Sequence, residues 1–319
     1  MAASPTPEQW DCVYDNATER SANESSVVVA LGKLLLNNWM EIPSLLVALV
    51  GLVGNSAVLW LLGFHIPRNP FSVYILNLAA ADALFLCSYF LVSMHLFVNY
   101  LHDSFMHGLL KYVTYTFYTV GLSLLAAIST ERCLSVLFPI WYRCHRPKHT
   151  SPAVCAALWA LGGLICVTGV LSCLYDPHHF CRHFFIIELA WFIVFTCVLC
   201  VSSLTLLLRV QCSSQRRQPP RLYLLVLLTV LVFLLCGLPL EIEDFIRRFK
   251  KDFMPEWLSQ LLACVNSSAN PLIYFFLGSH RHKRRAPLKV VLQRALGDEQ
   301  ELGTEITDTL HTNRQETSF

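Results

Sequence analysis

Charge is scarce in this chain of 319 residues: only 14% are Asp, Glu, Lys or Arg, against about 25% in an ordinary soluble domain. The sequence also lacks a Gly-rich phosphate loop, a metal-ligand spacing and a nucleophile elbow, so it shows no sign of enzyme chemistry and we expect no cofactor or metal. A formal net charge of +2 leaves no basic surface for nucleic acid. Instead, 55% of the residues are hydrophobic, an excess that indicates contact with lipid.

Long apolar runs predict the fold. A bilayer core about 30 Å thick is crossed by roughly 20 apolar helical residues, and helices are required because lipid offers backbone groups no hydrogen-bond partners. Seven such runs, which we number spans 1 to 7, occur at 42–64, 71–98, 109–137, 152–174, 184–208, 222–245 and 257–277. The sequence therefore predicts an all-α membrane protein, a seven-transmembrane helix bundle over 42–278.

Lys and Arg are distributed unevenly between the two sides of this bundle, which sets its orientation. If the N-terminus is outside, the basic, cytoplasmic side holds Arg68, Arg143, Arg146, Lys148, Arg209, Arg216, Arg217, Arg221 and a cluster at 281–289. The third outer loop is an exception, with Arg247, Arg248, Lys250 and Lys251. Acceptor sequences at Asn16 and Asn23 independently predict a glycosylated extracellular segment over 1–41. No cleavable signal peptide is evident, so we expect span 1 to be the uncleaved anchor in the plasma membrane.

Two further segments follow span 7. Residues 279–296 are basic, with apolar residues at three- and four-residue intervals, a pattern typical of an amphipathic helix on the inner leaflet. Residues 297–319 are acidic and rich in Thr, and we expect them to be disordered. Their hydroxyls, once phosphorylated, suit an arrestin-like basic surface. The ending Thr317-Ser318-Phe319 is similar to a PDZ-domain ligand, with an ordinary frayed tail as the alternative.

Polar residues inside the spans are costly in lipid and therefore indicate function. The inward set comprises Asn55, Asp82, Asn266, Asn270 and Tyr274. An acid, amides and a helix broken by Pro271 can share one hydrogen-bonded cluster in the bundle core, and the alternative is a structural polar contact with no further role. At the end of span 3, Glu131 and Arg132 form a charged pair that can stay closed or release Arg132 to a cytoplasmic partner. Snorkelling of Arg132 to the interface is the alternative.

Several of these residues follow the order found in rhodopsin-like G-protein-coupled receptors. The matching positions are Gly54-Asn55, Asp82, Glu131-Arg132-Cys133, Trp159, Pro239 and Asn270-Pro271-Leu272-Ile273-Tyr274. The longer strings at 60–64, 129–144 and 266–271 resemble the Mas-related receptors in particular. This resemblance covers the whole membrane domain. It implies a receptor that passes the binding of an extracellular peptide or small amine to a heterotrimeric G protein of the Gq or Gi type.

The end of span 3 is the expected site of G-protein coupling in such a receptor. We expect Arg132 to be the main contact for the activated G protein, restrained by Glu131 until the bundle opens. Four further residues would frame the opening: Tyr142, Arg143, Arg216 and Arg217.

Departures from the wider receptor pattern are informative. Most rhodopsin-like receptors link the outer end of span 3 to the second outer loop by a disulfide, yet 97–111 contains no Cys. Cys173 and Cys181 are eight residues apart near the ends of spans 4 and 5, and a short loop in an oxidising compartment can close such a pair, an arrangement similar to that of the Mas-related family. Gly237 stands where most relatives have Trp, so the usual aromatic switch is absent, although Pro239 still permits a kink in span 6.

Polar and aromatic residues in the outer half are the ligand candidates. They are Glu188, Glu241, Asp244, Lys111, Tyr112, Tyr115 and Trp257. Glu243 and Asp244 each precede an Arg by four residues, so ion pairs on the helix surface can explain both, whereas Glu241 has no such partner. The aromatic residues can equally be ordinary packing.

The charge of the ligand stays open at this point. Several Mas-related receptors bind cations through an acid pair, whose aligned places here hold Gly169 and Phe185. A cation could instead meet Glu188 or Glu241, and an acidic ligand could meet Lys111 and Arg182. Two other functions compete with a ligand-driven receptor: a transporter or channel using Asp82 and Glu131, and an orphan receptor with ligand-independent output. Many transporters consist of two repeated halves with matching broken helices, and the seven spans here do not divide into two such halves, which counts against a transporter.

Overall fold

The computed structural model describes residues 39–66, 69–98, 104–147, 149–175, 180–212, 221–247, 254–279, 289–290 and 292. The chain divides into two compact units, Met1–Pro43 and Ser44–Phe319. Of the first unit the structure describes only 39–43, where a 3₁₀ turn covers Trp39–Glu41. The predicted glycosylation sites Asn16 and Asn23 lie outside the described residues.

Helices account for all the regular secondary structure in the described part of the chain. Span 1 is the α-helix Ile42–Trp60 with a π-turn at Leu61–His65, span 2 is Pro70–Val98, span 3 is Ser104–Leu137, span 4 is Thr150–Tyr175, span 5 is Phe180–Cys212 and span 7 is Glu256–Ser279. Span 6 consists of Arg221–Val232, a π-turn at Phe233–Gly237 and Leu238–Arg247. A short loop helix, Pro139–Cys144, follows span 3. The all-α prediction is confirmed, with each span within a few residues of its expected place.

Six of the described helices are long and apolar enough to cross a membrane, namely those of spans 1 to 6. The seventh predicted span forms a helix of 24 residues but carries a polar stripe. Its members, all buried, are Asn266, Ser267, Ser268 and Asn270. Because these polar groups face the bundle interior, the low hydropathy of span 7 reflects internal hydrogen bonding.

Span 3 lies at the centre of the bundle, in contact with spans 2, 4, 5 and 6, and span 7 packs against spans 2 and 6. The buried core is correspondingly rich in residues of spans 2 and 3, such as Leu78 and Leu124. Spans 1, 4 and 5 instead turn large apolar side chains outward, among them Val53, Leu164 and Val201. This distribution is expected of a bundle surrounded by lipid, because its outer surface gains nothing from polar residues.

The start of span 2 is fixed by a reciprocal cap. The Ser72 N–H donates to the Asn69 side-chain oxygen at 2.6 Å, and the Asn69 N–H donates to the Ser72 hydroxyl at 2.8 Å. Pro70 follows the cap, where its missing N–H costs nothing. The cap sets the helix register that brings Phe71 and Tyr74 to the end of span 3.

Span 6 is irregular immediately before Pro239. The Leu238 N–H donates to the carbonyl of Phe233, five residues earlier in the chain, and this hydrogen bond is typical of a π-turn. Proline has no N–H and clashes with the preceding turn, so a predicted kink takes the form of this wider turn.

The predicted amphipathic helix over 279–296 falls mostly outside the described residues. Within it, Lys289, Val290 and Leu292 are helical, and Leu292 is buried in the main hydrophobic cluster. The tail at 297–319, with its predicted arrestin and PDZ contacts, also lies outside the described residues. The two ends of the bundle are called below the Arg132 end and the Glu241 end, after the residues they carry.

Candidate functional site

An intramembrane cluster in the middle of the bundle joins spans 1, 2 and 7. The Asn270 side-chain amide donates to the Asp82 carboxylate at 2.7 Å, and both residues are buried. The Asn55 amide donates to the Ser267 carbonyl at 3.1 Å and to the Gly51 carbonyl at 3.0 Å. The structure thus brings three of the predicted core polar residues into contact with a partner helix.

Pro271 explains why Asn55 finds an acceptor on span 7. In an α-helix the N–H of residue 271 would bond the carbonyl of Ser267, but proline has none. The Asn55 amide supplies the missing donor across the helix interface. The two helices can approach this closely because position 51 is glycine: a side chain there would overlap the Ser268 side chain.

The other two predicted members of the cluster are placed differently. Asn266 is buried on span 7. The Tyr274 ring is buried in the hydrophobic cluster, and its hydroxyl has no hydrogen-bond partner among the described residues. The structure therefore does not join the Tyr274 hydroxyl to Asp82.

At the Arg132 end, Glu131 is bound by a residue that the sequence analysis did not single out. Arg146 donates to both Glu131 carboxylate oxygens, at 2.9 Å and 3.2 Å, and Tyr74 donates a third hydrogen bond at 3.1 Å. The Arg146 guanidinium also donates to the Ser151 hydroxyl at 2.6 Å. With side chains only 7% and 11% exposed, Arg146 and Glu131 form a buried ion pair to which Tyr74 and Ser151 add hydrogen bonds.

The Arg132 guanidinium packs against span 2. Its guanidinium carbon lies 3.8 Å from the centroid of the Phe71 ring, a cation–π contact, and the residue is buried. Both Glu131 oxygens accept hydrogen bonds from Arg146, and the predicted restraint of Arg132 by Glu131 stays a prediction. Glu131 could not be assigned to Arg146 from sequence, since the two are separated by the loop helix.

The loop helix completes the Arg132 end. The Tyr142 ring lies 5.2 Å from the Arg146 guanidinium, and Phe138, Ile140 and Trp141 are exposed. Burial alone would lower the pKa of the Arg146 guanidinium, but hydrogen bonding to Glu131 and its charge outweigh that effect and the pKa is raised. The Arg143 side chain, and Arg216 and Arg217, lie outside the described residues.

At the Glu241 end, the acid that appeared to lack a partner has one. The Tyr115 hydroxyl of span 3 donates to the Glu241 carboxylate at 2.5 Å, and Glu241 is only 4% exposed. Two of the predicted ligand residues are thus in direct contact. The Tyr115 phenol is a neutral donor, so this hydrogen bond does not itself cancel the charge of the Glu241 carboxylate.

Two further acids at this end are buried. Glu188 of span 5 is 8% exposed, and Glu243 of span 6 is 2% exposed. Glu243 accepts a hydrogen bond from the Met254 N–H at 2.9 Å, which ties the start of span 7 to span 6. Glu243 is therefore buried and not at the surface, and its predicted ion pair with Arg247 stays a prediction. The Asp244 and Arg247 side chains lie outside the described residues.

Lys111 is placed at the surface. It forms an ion pair with Glu256 at 3.1 Å in which the side chains are 54% and 44% exposed. Pairs of this kind contribute little to stability, about 0–1 kcal/mol, and open readily. Tyr112 follows Lys111 in span 3, and Trp257 follows Glu256 in span 7. Both side chains are half-buried.

The predicted disulfide falls outside what the structure describes. Cys173 and Cys181 lie in the helices Thr150–Tyr175 and Phe180–Cys212, but their side chains and 176–179 are not described. Within the described part of the chain, no group of three or more His, Cys, Asp or Glu residues could hold a metal ion.

The sequence is similar to those of known membrane receptors. A profile described as "7 transmembrane receptor (rhodopsin family)" matches residues 54–274. Mas-related G-protein coupled receptor member A of Rattus norvegicus is 48% identical over 277 residues, which cover 82% of this chain and 91% of that protein. Member X2 of Rhinopithecus bieti is 44% identical over 313 residues, 93% of each chain, and member A1 of Mus musculus is 45% identical over 278 residues, 82% and 91%.

Proposed function

Because the chain belongs to the rhodopsin family of seven-transmembrane receptors, and within it to the Mas-related receptors, we propose that it passes binding of an extracellular cationic peptide or small amine to a heterotrimeric G protein of the Gq or Gi type. The chain is accordingly a receptor and not an enzyme. In this proposal the Glu241 end is extracellular and the Arg132 end is cytoplasmic, with the protein in the plasma membrane, as the Lys/Arg distribution predicts.

The observation that carries the ligand proposal is the burial of Glu241 and Glu188 at the same end of the bundle. Attraction between unit charges grows as the effective dielectric falls, so a carboxylate in this setting favours a cation far more than one in water. The Tyr115 hydroxyl holds the Glu241 carboxylate in place without cancelling its charge. Lys111, Tyr112 and Trp257 would line the approach, with the exposed Lys111–Glu256 pair opening for a larger ligand.

The observation that supports G-protein coupling is the state of the Arg132 end. Arg132 is buried against Phe71, and Glu131 is occupied by Arg146. A partner that enters between the spans would draw the Arg132 guanidinium away from the Phe71 ring, while Arg146 keeps its hydrogen bonds to Glu131. The exposed apolar residues of the loop helix offer the same partner a surface beside this entry.

Other contacts are proposed from sequence alone. They are the disulfide Cys173–Cys181, glycosylation at Asn16 and Asn23, an arrestin-type partner for the phosphorylated tail and a PDZ domain at Phe319.

A ligand screen tests the proposal. Cells expressing the full chain are exposed to cationic peptides, amines, amino acids and matched anionic compounds, and calcium release and nucleotide exchange are measured. We expect responses to cations, and a loss of potency of at least about tenfold in Glu241→Gln, equivalent to roughly 1.4 kcal/mol.

Thr168→Val is the control, because it removes an exposed hydroxyl of span 4 that bonds carbonyls of its own helix and should change potency less than about twofold. Unchanged potency of a cationic agonist in both Glu241→Gln and Glu188→Gln would place the pocket elsewhere, and responses to anionic compounds alone would reverse the charge assignment.

A further inference from the structure

Two tyrosine hydroxyls of span 3 donate hydrogen bonds to span 6. Tyr115 donates to the Glu241 carboxylate at 2.5 Å, and Tyr118 donates to the Gly237 carbonyl at 2.7 Å. The donors are three residues apart and the acceptors four, so the two bonds connect facing stripes of the two helices. They lie on either side of Pro239 in the sequence of span 6, where the helix lacks a backbone donor.

The Tyr118 bond depends on the absence of a side chain at position 237. A Cβ added to Gly237 would lie 2.5 Å from the Phe233 ring and 2.9 Å from the Tyr118 hydroxyl oxygen. Phe233 and Tyr118 are both buried, so neither can move aside cheaply in a packed interior. Phe233 and Gly237 are also the two ends of the π-turn. Glycine at 237, the π-turn and the Tyr118 hydrogen bond therefore require one another.

The same face of span 3 continues to the intramembrane cluster. Gly121 is three residues after Tyr118, and a Cβ there would lie 3.8 Å from the Asp82 carboxylate, in ordinary contact. The Tyr118 ring also packs against Phe85 of span 2, with ring centroids 5.2 Å apart. Tyr118 thus stands between the candidate ligand acid Glu241 and the Asp82 cluster.

We propose that Tyr118 is a positioning residue that holds span 6 in its resting arrangement through the Gly237 carbonyl, and that position 237 must be glycine for this bond to form. The inference rests on the proposed function, in which movement of span 6 admits a G protein to Arg132. A cationic ligand competes with Tyr115 for the Glu241 carboxylate. The Tyr118 bond to the Gly237 carbonyl is made only in the resting arrangement, so its loss is part of the free-energy cost of moving span 6 that ligand binding must offset.

The test measures the position of span 6 directly in the full-length protein without ligand. Spin labels carried by unnatural amino acids at Ala153 of span 4 and Leu224 of span 6, both exposed, report the separation of these spans at the Arg132 end by pulsed electron paramagnetic resonance. Tyr118→Phe removes only the hydroxyl and should raise the ratio of long to short distances roughly fivefold, as expected for loss of one neutral hydrogen bond. Gly237→Ala should raise this ratio by a similar factor. The double variant should raise it no further than either single variant does.

Two control variants separate this role from general damage. Thr116→Val removes a hydroxyl from the same helix, but one that bonds its own helix at the Tyr112 carbonyl. Gly163→Ala adds a methyl group where nothing lies within 4 Å. Both should leave the distances unchanged. The proposal is overturned if Tyr118→Phe, folded and surface-expressed, keeps the resting distances, or if the effects of Tyr118→Phe and Gly237→Ala add. If Gly237→Ala fails to fold, the comparison of the distances in Tyr118→Phe with those in Thr116→Val decides the question.

Nucleotide exchange on the same preparations, with purified Gq and Gi, separates this inference from the proposed function. A distance shift accompanied by higher basal exchange supports both. A distance shift with no exchange on either G protein supports the Tyr118 role and counts against the proposed coupling. Higher exchange without a distance shift counts against the Tyr118 role alone.

Discussion

Arg146 and Glu131 show what a single buried charge requires of its neighbours. Each would be costly to bury alone, and together they are satisfied only because Tyr74 and Ser151 complete their hydrogen bonds. The pair joins span 3 to the segment leading into span 4, so it fixes the loop helix against the bundle. Its value to the fold is therefore conditional: the pair is neutral to stability when complete and damaging when one partner is lost.

The first prediction concerns this pair. Arg146→Gln leaves the Glu131 charge buried without its cationic partner, and should destabilise the protein by roughly 3 kcal/mol. Thermal unfolding of the purified receptor in detergent measures this as a lower midpoint temperature. Adding Glu131→Gln should restore most of the loss, because no unpaired charge remains.

Arg209→Gln removes an exposed Arg at the end of span 5. It should change the unfolding free energy by less than about half a kcal/mol, so the midpoint temperature should stay close to that of the wild type. An Arg146→Gln midpoint equal to that of this control would contradict the account of the buried pair.

At the scale of the helix, proline decides where spans 6 and 7 depart from regular α geometry. Pro271 leaves the Ser267 carbonyl without its helical donor, and the side-chain amide of Asn55 in span 1 donates a hydrogen bond to that carbonyl instead. Pro239 is preceded by a π-turn whose last residue accepts a hydrogen bond from Tyr118 of span 3. In both places an irregular helix is satisfied by a side chain from a neighbouring helix, so each irregularity fixes a specific contact between spans.

The second prediction concerns Asn55. Asn55→Ala leaves the Ser267 carbonyl buried and without this donor, which should cost about 1–3 kcal/mol in unfolding free energy. In a Pro271→Ala background the N–H of residue 271 can bond the same carbonyl, so the cost of Asn55→Ala should fall by at least half. A double-mutant cycle from thermal unfolding measures the difference. Equal costs in the two backgrounds would show that proline and Asn55 act independently.

The elements themselves could be predicted from sequence because apolar run length and the cost of polar backbone in lipid leave few alternatives. The Asp82–Asn270 contact was also within reach, since intramembrane polar groups must find one another. The partners of Glu131 and Glu241 were not, because Arg146 lies across a loop and Tyr115 is 126 residues from Glu241. Rules of local spacing consider only residues on the same helix face, so they could not indicate that Glu243 is buried and bonded to the Met254 N–H.

Across the whole molecule, span 3 is the element shared by all three polar sites. Tyr115 contacts Glu241 at one end, Gly121 lies against Asp82 in the middle, and Glu131 and Arg132 occupy the other end. Around this central helix, spans 1, 4 and 5 present apolar surface to the outside. Span 3 therefore carries residues of all three polar sites between the Glu241 end and the Arg132 end, while the exterior stays compatible with lipid.

In the proposed function, ligand binding at the Glu241 end activates a G protein that contacts Arg132. Guanine-nucleotide exchange by purified Gq or Gi is measured with full-length receptor reconstituted in lipid, and the cationic compounds of the ligand screen serve as probes. Arg132→Ala removes the proposed contact, and Arg209→Gln removes an exposed Arg of the same end. We expect ligand-stimulated exchange in the wild type and in Arg209→Gln, and none in Arg132→Ala at equal receptor amount. Full stimulation in Arg132→Ala would show that Arg132 is not the contact, and no stimulation of either G protein by the wild type would refute the proposed coupling.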